Sequence, residues 1–262
     1  GAMLIGAHVD ADAAIAQAVA LGADIAQVTL GDPQSWRKPT VPGDGAAALR
    51  SQAEDAGIGL YVHAAYVINV ASTNNRIRIP SRKLLQQTID AAAGIGANGV
   101  IVHGGHVTAD EDQRRGYENW RKCVDGLDLK VPILIENTAG GKKAMMRYLE
   151  SIRDLWAAFD GSDNLGGVGL CLDTCHAHAA GLDLTTVVED VRAVTGRIDL
   201  VHCNDSRDAA GSGRDRHAPL GRGQLDPEVL VALLRDADAP VMLETPPENH
   251  AEEIAWLREQ LG

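Results

Sequence analysis

The stretch VGLCLDTCHAHAAG, residues 168–181, contains a pattern that repeats along the whole chain. A nearly continuous apolar run ends at Asp173, and a polar segment that includes His176 follows it. Parallel strands that are covered by helices on both faces of a sheet have this continuous apolar character. The stretch therefore predicts a buried parallel strand whose carboxyl end carries polar side chains.

Seven other apolar stretches resemble this one, and amphipathic segments typical of helices lie between them. The other predicted strands are LIGAHV (4–9), DIAQVTL (24–30), GLYVHAAY (59–66), GVIVHGG (99–105), PILIENT (132–138), IDLVHCND (198–205) and PVMLETP (240–246). The clearest helical patterns are DADAAIAQAVALG (10–22), SRKLLQQTIDAAAGIG (81–96), AMMRYLESIRDLWAAF (144–159), LDPEVLVALLRDAD (225–238) and AEEIAWLREQLG (251–262).

Eight strand–helix units of about 33 residues account for all 262 residues. This count predicts a (β/α)8 TIM barrel that forms one domain over residues 1–262, with the active site at the carboxyl ends of the strands. The alternative is a doubly wound open sheet, but no G-x-G-x-x-G follows the first strand. Residues 1–2, before Met3, are expected to be a remnant of expression.

Composition narrows the class of protein. The net charge of −12 argues against a general nucleic-acid binder with a basic face, although bound metal ions can create local positive potential. Four irregularly spaced cysteines predict a reducing compartment, the cytoplasm. No signal peptide and no apolar run of about 18 residues is present, so no membrane association is expected. No obligate protein partner is predicted.

The ends of the predicted strands carry chemically active side chains. The third to eighth strands end in His63, His103, Glu136, Asp173, His202 and Glu244, and later loops add His176, Asp215 and His217. The barrel fold would gather these nine groups at one mouth. Crowded carboxylates are costly to desolvate unless cations neutralise them. Imidazoles and carboxylates together favour Zn²⁺, with Mn²⁺ or Fe²⁺ as competitors, and nine ligands fit two or three ions.

The motifs at these strand ends are familiar as a set. In chain order they are GAHV (6–9), YVHAAYVIN (61–69), VHGG (102–105), IENTAGG (135–141), CLDTCHAHAAGLD (171–183), VHCNDS (201–206), DRHAPLGRG (215–223) and LETP (243–246). They resemble the motifs of endonuclease IV, the apurinic/apyrimidinic (AP) endonuclease family 2, over nearly the whole chain.

This resemblance implies a trinuclear zinc site. His63 and His103 would bind one zinc ion, and Glu136, the implied catalytic residue, would bridge it to a second. Asp173, His202 and Glu244 would complete the second site, while His176, Asp215 and His217 would hold the third. The implied reaction is hydrolysis of the phosphodiester 5′ to an abasic site in double-stranded DNA. It leaves a 3′-hydroxyl and a 5′-deoxyribose phosphate, and trimming of blocked 3′ ends is implied as well.

The resemblance also implies which residues contact DNA. Tyr66 and Val67 occupy the place of the family's wedge residues, and Asn69 follows them. His8 and Arg216 are further candidates for contacts with phosphate.

The chain departs from the family's pattern after the second strand, where Asp32 and Gln34 replace the usual Asn and Arg before Trp36. A carboxylate near DNA phosphate is unfavourable. Of the remaining histidines, His178 is expected to pack, His106 to contact substrate or solvent, and His250 to lie on the surface.

Two alternatives remain at the level of sequence. A sugar isomerase or epimerase with a similar barrel would need only one divalent ion, which Glu136, Asp173, His202 and Glu244 could hold. Such an enzyme would have no use for the other five candidate ligands. A metal-loaded DNA-binding module without catalytic activity is the second alternative, and the low aromatic content of 3% disfavours a stacking platform for single strands.

Overall fold

The computed structural model of the protein describes residues 2–262, and its centre is a closed barrel of eight parallel strands. The barrel strands are β1 (Ile5–His8), β2 (Ile25–Val28), β3 (Gly59–His63), β4 (Val100–His103), β5 (Ile133–Glu136), β6 (Val168–Asp173), β7 (Leu200–Cys203) and β10 (Val241–Leu243). Neighbours in sequence pair with each other, and β10 pairs with both β7 and β1 to close the ring. Between β7 and β10, a short antiparallel pair consists of β8 (Asp205–Ser206) and β9 (His217–Ala218).

Helices surround the barrel. They are α1 (Ala14–Leu21), α2 (Ala46–Ala56), α3 (Asn75–Gly94), α4 (Arg114–Gly126), α5 (Leu149–Ala158), α6 (Thr174–Ala179), α7 (Val187–Thr195), α8 (Pro227–Ala237) and α9 (His250–Leu261). The predicted (β/α)8 TIM barrel is confirmed, and each of the eight predicted strands contains one barrel strand. Within residues 2–262, no helix has the length and apolarity needed to cross a membrane.

Two helices begin at least five residues away from their predicted starts. Helix α5 begins at Leu149 instead of residue 144, because Met145 N donates to Gly105 O and Met146 O accepts from Thr138 N. These bonds tie the preceding residues to neighbouring loops and leave them outside the helix. Helix α3 begins six residues before the predicted start at residue 81, because the Asn74 side chain caps it.

Two predictions about polar residues need correction. The segment after β6, predicted as a loop, is the helix α6, and the Asp173 side chain caps it by accepting from His176 N at 2.9 Å. His250, predicted to lie on the surface, is buried, and its Nε2 donates to Thr245 O at 2.8 Å. Short-range hydrogen bonds explain both results, and neither is visible in a hydrophobic pattern.

Side chains along a strand alternate between its two faces, so only every second one points into the barrel. The inward apolar side chains form one thin layer. The layer contains Ile25, Tyr61, Ile101, Leu134, Cys171, Leu200 and Met242, and it forms a cluster separate from the larger core between strands and helices. Gly6 is the inward residue at the same level of β1. A Cβ atom there would lie 1.7 Å from Ile25 O on the adjacent strand, so only glycine fits without moving the backbone.

We predict that Gly6→Ala lowers the free energy of unfolding by about 3 kcal/mol or more, because the clash is with backbone rather than with a flexible side chain. Gly126→Ala is the matched control, since a Cβ atom at that position, at the end of α4, would have nothing within 4 Å. Urea unfolding of both variants measures the difference. Equal stability of the two variants would contradict this account of the barrel interior.

Candidate functional site

A ring of polar side chains lies directly above the apolar layer, at the carboxyl end of the barrel. Each barrel strand contributes the inward residue two positions after its apolar one: His8, Gln27, His63, His103, Glu136, Asp173, His202 and Glu244. Strand register places His103 beside Glu136 and Asp173 beside His202. Five residues of the ring line an open cavity of about 580 Å³, whereas Gln27, Asp173 and His202 are fully buried.

Glu136 is at the centre of the ring and is 1% exposed. Its Oε1 lies 3.3 Å from His63 Nε2 and 3.2 Å from His103 Nε2. Its Oε2 lies 3.2 Å from His176 Nδ1 and 3.1 Å from His202 Nδ1. Burial by itself would raise the pKa of Glu136, but the surrounding imidazoles lower that pKa well below its ordinary value. The Glu136 carboxylate therefore stays ionised and connects several imidazoles.

A second group of donors lies on the opposite side of Glu136. His202 Nδ1 is 3.0 Å from Glu244 Oε1 and 3.9 Å from Asp173 Oδ2. One donor atom from each of Glu136, Asp173, His202 and Glu244 lies within 4.8 Å of the others. Burial raises the pKa of Asp173 to about 6, whereas His202 offsets burial at Glu244 and lowers the pKa of that carboxyl.

A third group connects α6 to the segment between β8 and β9. Asp215 Oδ2 lies 2.9 Å from His176 Nε2, and Asp215 Oδ1 lies 3.0 Å from His217 Nε2. Asp173, His176 and His217 also offer donor atoms within 4.8 Å of one another. All nine predicted ligands are thus near one another, and Asp173 stands between the second group and the third.

Each of four imidazoles has one ring nitrogen bonded to an oxygen outside the cluster. His63 Nδ1 donates to Ala64 O at 2.8 Å, His176 Nδ1 to Asn137 O at 2.7 Å and His217 Nδ1 to Glu244 O at 2.9 Å. His202 Nε2 bonds to the side chain of Gln27 at 2.7 Å. Such bonds fix the tautomer of a metal-binding histidine and leave the other nitrogen's lone pair for the ion.

The donor set fits divalent metal ions. Nitrogen–oxygen distances of 2.9–3.3 Å within the cluster are close to the separation of about 3.4 Å expected between two donors of one tetrahedral zinc ion. The His217 Nε2 atom is buried and has no hydrogen-bond partner among the described residues, although Asp215 is near. Burial opposes a charged His217, yet nearby carboxylates raise its pKa to about 9. The cluster therefore attracts positive charge strongly.

The predicted DNA-contacting residues lie around this cavity. Tyr66 is 46% exposed, and its ring centroid is 5.1 Å from that of His63. Val67 is half-buried beside it, and both line an adjoining groove that includes Asn69. Arg216 is exposed and lies between Asp215 and His217 in sequence. Its guanidinium forms two hydrogen bonds with Asp208.

The side chain of Asn69 joins two loops at the cavity edge. Its Nδ2 donates to His106 O at 3.0 Å, and its Oδ1 accepts from His106 N at 3.1 Å. His106 is exposed at this edge. The predicted packing role of His178 agrees with its position, because its Nε2 donates to Asp208 O at 2.9 Å away from the cluster.

Sequence reasoning missed several residues that position the nine groups. Asn204 is fully buried; its Nδ2 donates to Asp173 Oδ2 at 3.1 Å and its Oδ1 accepts from Glu244 N at 2.9 Å. Gln27 contacts His202 and Glu244 from the second strand. The inward alternation of strand residues would have identified Gln27, because it comes two positions after Ile25.

Asp205 was also missed, and it anchors the segment that carries Asp215 and His217. The Asp205 side chain is fully buried and accepts four backbone N–H groups at 2.7–3.1 Å, from Ser206, Gly221, Gly223 and Leu225. Glu253, from α9, accepts from another backbone N–H in this segment, that of Leu220, at 2.7 Å. Two buried carboxylates thus hold in place residues 220–225, the part of the segment that leads to α8.

Comparisons with known proteins agree with this geometry. The family model described as "Xylose isomerase-like TIM barrel" matches residues 15–260. A curated protein of Mycobacterium ulcerans named "Probable endonuclease 4" is 56% identical over 260 residues, which cover 99% of this chain and 100% of that protein. The chain belongs to the endonuclease 4 family. The resemblance seen in the sequence is thereby confirmed.

Solved structures extend the comparison of this endonuclease 4 family member. Endonuclease IV from Thermus thermophilus superimposes with a TM-score of 0.84 at 29% identity, covering 98% of each chain. A D-tagatose 3-epimerase-like protein superimposes with a TM-score of 0.80, but at only 17% identity. The second likeness shows a shared fold and nothing more.

We predict that Asp205→Ala lowers the free energy of unfolding of this endonuclease 4 family member by about 3 kcal/mol, because four buried N–H groups lose their acceptor. Asp226→Ala is the control, since that exposed cap accepts one N–H at the start of α8 and should cost about 1 kcal/mol. Urea unfolding gives both values, and limited proteolysis should cut residues 207–225 faster only in Asp205→Ala. Equal losses in the two variants would show that Asp205 does not anchor the segment.

Proposed function

We propose that the chain hydrolyses the phosphodiester bond on the 5′ side of abasic sites in double-stranded DNA. The products are a 3′-hydroxyl and a 5′-deoxyribose phosphate. Membership of the endonuclease 4 family supports the coarser statement, that the chain is a DNA-cleaving hydrolase. The observation that supports the finer proposal is the cluster of nine imidazole and carboxylate groups, seven of which line one open cavity.

Three zinc ions are the proposed cofactors, with Mn²⁺ or Fe²⁺ as possible substitutes at some sites. The proposed ligand sets are His63, His103 and Glu136 for the first ion; Glu136, Asp173, His202 and Glu244 for the second; and His176, Asp215 and His217 for the third. Divalent ions at these positions would neutralise phosphate charge and activate water for attack on phosphorus.

Glu136 is the proposed catalytic residue. Because its carboxylate contacts imidazoles of all three proposed ligand sets, it lies where the sets meet. An ionised carboxylate at this point accepts a hydrogen bond from the attacking water and orients its lone pair toward phosphorus. The bonds from His63 and His176 to backbone carbonyls keep these imidazoles from rotating when DNA binds.

His8, which lines the cavity, is proposed to contact the scissile phosphate. Burial lowers the pKa of His8 to about 4, so the ring is neutral. Its Nδ1 accepts from Gln27 at 3.1 Å, which leaves the proton on Nε2 as a donor. Tyr66 is neutral as well, because partial burial and the nearby carboxylates of Glu244 and Glu136 raise its pKa to about 12.

Recognition of the abasic site is proposed to depend on the groove beside the cavity. Tyr66 is exposed and Val67 lies next to it, so both can enter the DNA stack where a base is missing. Extrusion of a nucleotide costs least at such a site. Asn69 and Arg216 are proposed to contact the backbone, and Arg216 would exchange Asp208 for phosphate. The same cavity would accept a blocked 3′ end, which supports 3′ trimming as a second activity.

The geometry favours this proposal over a single-metal sugar isomerase. The group of Glu136, Asp173, His202 and Glu244 would be sufficient for one ion. A single-metal isomerase does not explain why His63 and His103 also converge on Glu136. It also leaves the Asp215 contacts with His176 and His217 without a role.

We also propose a reducing compartment, the cytoplasm, as the place of action. All four cysteines lie within the described residues, and all four are buried and free. Structural disulfides are common in oxidising compartments, and this chain does not use its cysteines in that way.

Zinc-loaded protein should nick a duplex that carries a tetrahydrofuran abasic analogue, on the 5′ side of the analogue, because the cavity provides the ligands for a phosphodiesterase. The measurement is gel separation of an end-labelled strand, with extension by a DNA polymerase to show the 3′-hydroxyl. An intact duplex is the control. Absence of cleavage, together with interconversion of an aldose and a ketose, would favour the isomerase.

Glu136→Gln should lower the rate of nicking by about 1000-fold while the protein stays folded, because the amide cannot bridge cations as a carboxylate does. Glu248→Gln is the matched control, since Glu248 is exposed and directly follows Pro247, which lines the same cavity. Single-turnover nicking and circular dichroism provide the two readouts. A turnover in Glu136→Gln equal to that of Glu248→Gln would rule out the proposed role.

A further inference from the structure

Gln27 is a fully buried amide in the polar ring and is the ring's contribution from β2. Its Oε1 lies 2.7 Å from His202 Nε2. Its Nε2 lies 2.8 Å from Glu244 Oε2 and 3.1 Å from His8 Nδ1. One side chain therefore contacts three functional groups that come from three other strands.

The orientation of the Gln27 amide follows from its neighbour. An ionised carboxylate can only accept hydrogen bonds, so the –NH₂ group must face Glu244. The amide oxygen must then face His202, and an oxygen can only accept. His202 therefore carries a proton on Nε2. In the neutral ring, the lone pair is on Nδ1, the nitrogen that faces Glu136 and Glu244.

We propose that Gln27 is a positioning residue that sets the tautomer of His202 and the direction of Glu244, and so determines how tightly the second ligand set holds its ion. The inference rests on the proposed function, because it assumes that this set binds a metal. Gln27 would act only through its neighbours, without contact to the ion or to DNA.

His202 differs in this respect from the other three oriented imidazoles. His63, His176 and His217 donate to backbone carbonyls, which no substitution of a side chain removes. His202 alone among these four depends on a side-chain acceptor. Its orientation is therefore the one that a single substitution can release.

The third contact of Gln27 connects the second ligand set to His8, the residue proposed to contact the scissile phosphate. The second N–H of the amide donates to His8 Nδ1, so the same amide that orients Glu244 also fixes the proton of His8 on Nε2. Loss of the amide would thus release two groups of the ion site, His202 and Glu244, together with His8.

The test uses Gln27→Leu, which keeps the approximate size of the side chain and removes its three hydrogen bonds. Val28→Ala is the matched control, because Val28 is the next residue of β2 and belongs to the outer core. Competition with a chromophoric chelator measures zinc affinity and stoichiometry. We expect one of three zinc ions to bind about 10- to 100-fold more weakly in Gln27→Leu and all three to bind normally in Val28→Ala.

A second variant separates the two halves of the proposal and serves if Gln27→Leu does not fold. Gln27→Glu keeps an acceptor for His202 but loses the donor to Glu244. In NMR spectra of zinc-loaded protein with labelled histidine, the His202 Nε2–H signal should persist in this variant and in the wild type. It should exchange rapidly with water in Gln27→Leu. Zinc affinity should fall in both variants.

Wild-type affinity for all three ions in both variants, or a protected His202 Nε2–H signal in Gln27→Leu, would overturn the inference. These readouts do not involve DNA. If the wild type bound three zinc ions but failed to nick abasic duplexes, the proposed function would fail while the comparison of affinities would still decide the role of Gln27.

Discussion

The structure depends on one electrostatic constraint: four carboxylates and five imidazoles, five of these nine groups buried, lie close together at the end of the barrel. A carboxylate in such a place is costly unless cations or hydrogen-bond donors offset its charge. The nearby carboxylates raise the pKa values of His176 and His202, and this attraction between imidazole and carboxylate offsets part of the cost. Divalent cations would meet it more completely. The proposed ions would thus follow from the side chains that the strands bring together.

Surrounding residues act by holding these groups in fixed positions. Asn204 separates and orients Asp173 and Glu244, while Asp205 fixes the segment from which Asp215 and His217 extend. The Asp173 carboxylate has two roles, because one oxygen caps α6 and the other faces the second donor group. The rigidity of the site therefore comes from buried hydrogen bonds as well as from the barrel strands.

Much of this arrangement follows from the sequence. The alternation of apolar strands with amphipathic helices predicts the barrel, and a barrel requires that strand ends meet, so six of the nine candidate ligands could be named from their positions. The other three, His176, Asp215 and His217, lie in the segments that follow the sixth and seventh strands. The two-residue period of a strand then explains why His63 and Glu136 point inward, since each lies two positions after an inward apolar residue, Tyr61 or Leu134.

Other parts of the site could not be predicted in this way. The alternation of β2 gives the inward position of Gln27 but not its role, which appears only when His202, 175 residues away in sequence, is seen beside it. Asp205 acts on backbone groups up to 20 residues later, in a segment without a regular hydrophobic pattern. His250 looks like a surface residue at a helix start until the carbonyl of Thr245 is seen to accept its proton.

The most direct test of the central claim is anomalous X-ray scattering at the zinc edge from crystals of the zinc-loaded protein. The account predicts three peaks in the cavity, one within each proposed ligand set, with Glu136 between the first and second. A single peak among Glu136, Asp173, His202 and Glu244, or no peak with the side chains bonded only to one another, would contradict it.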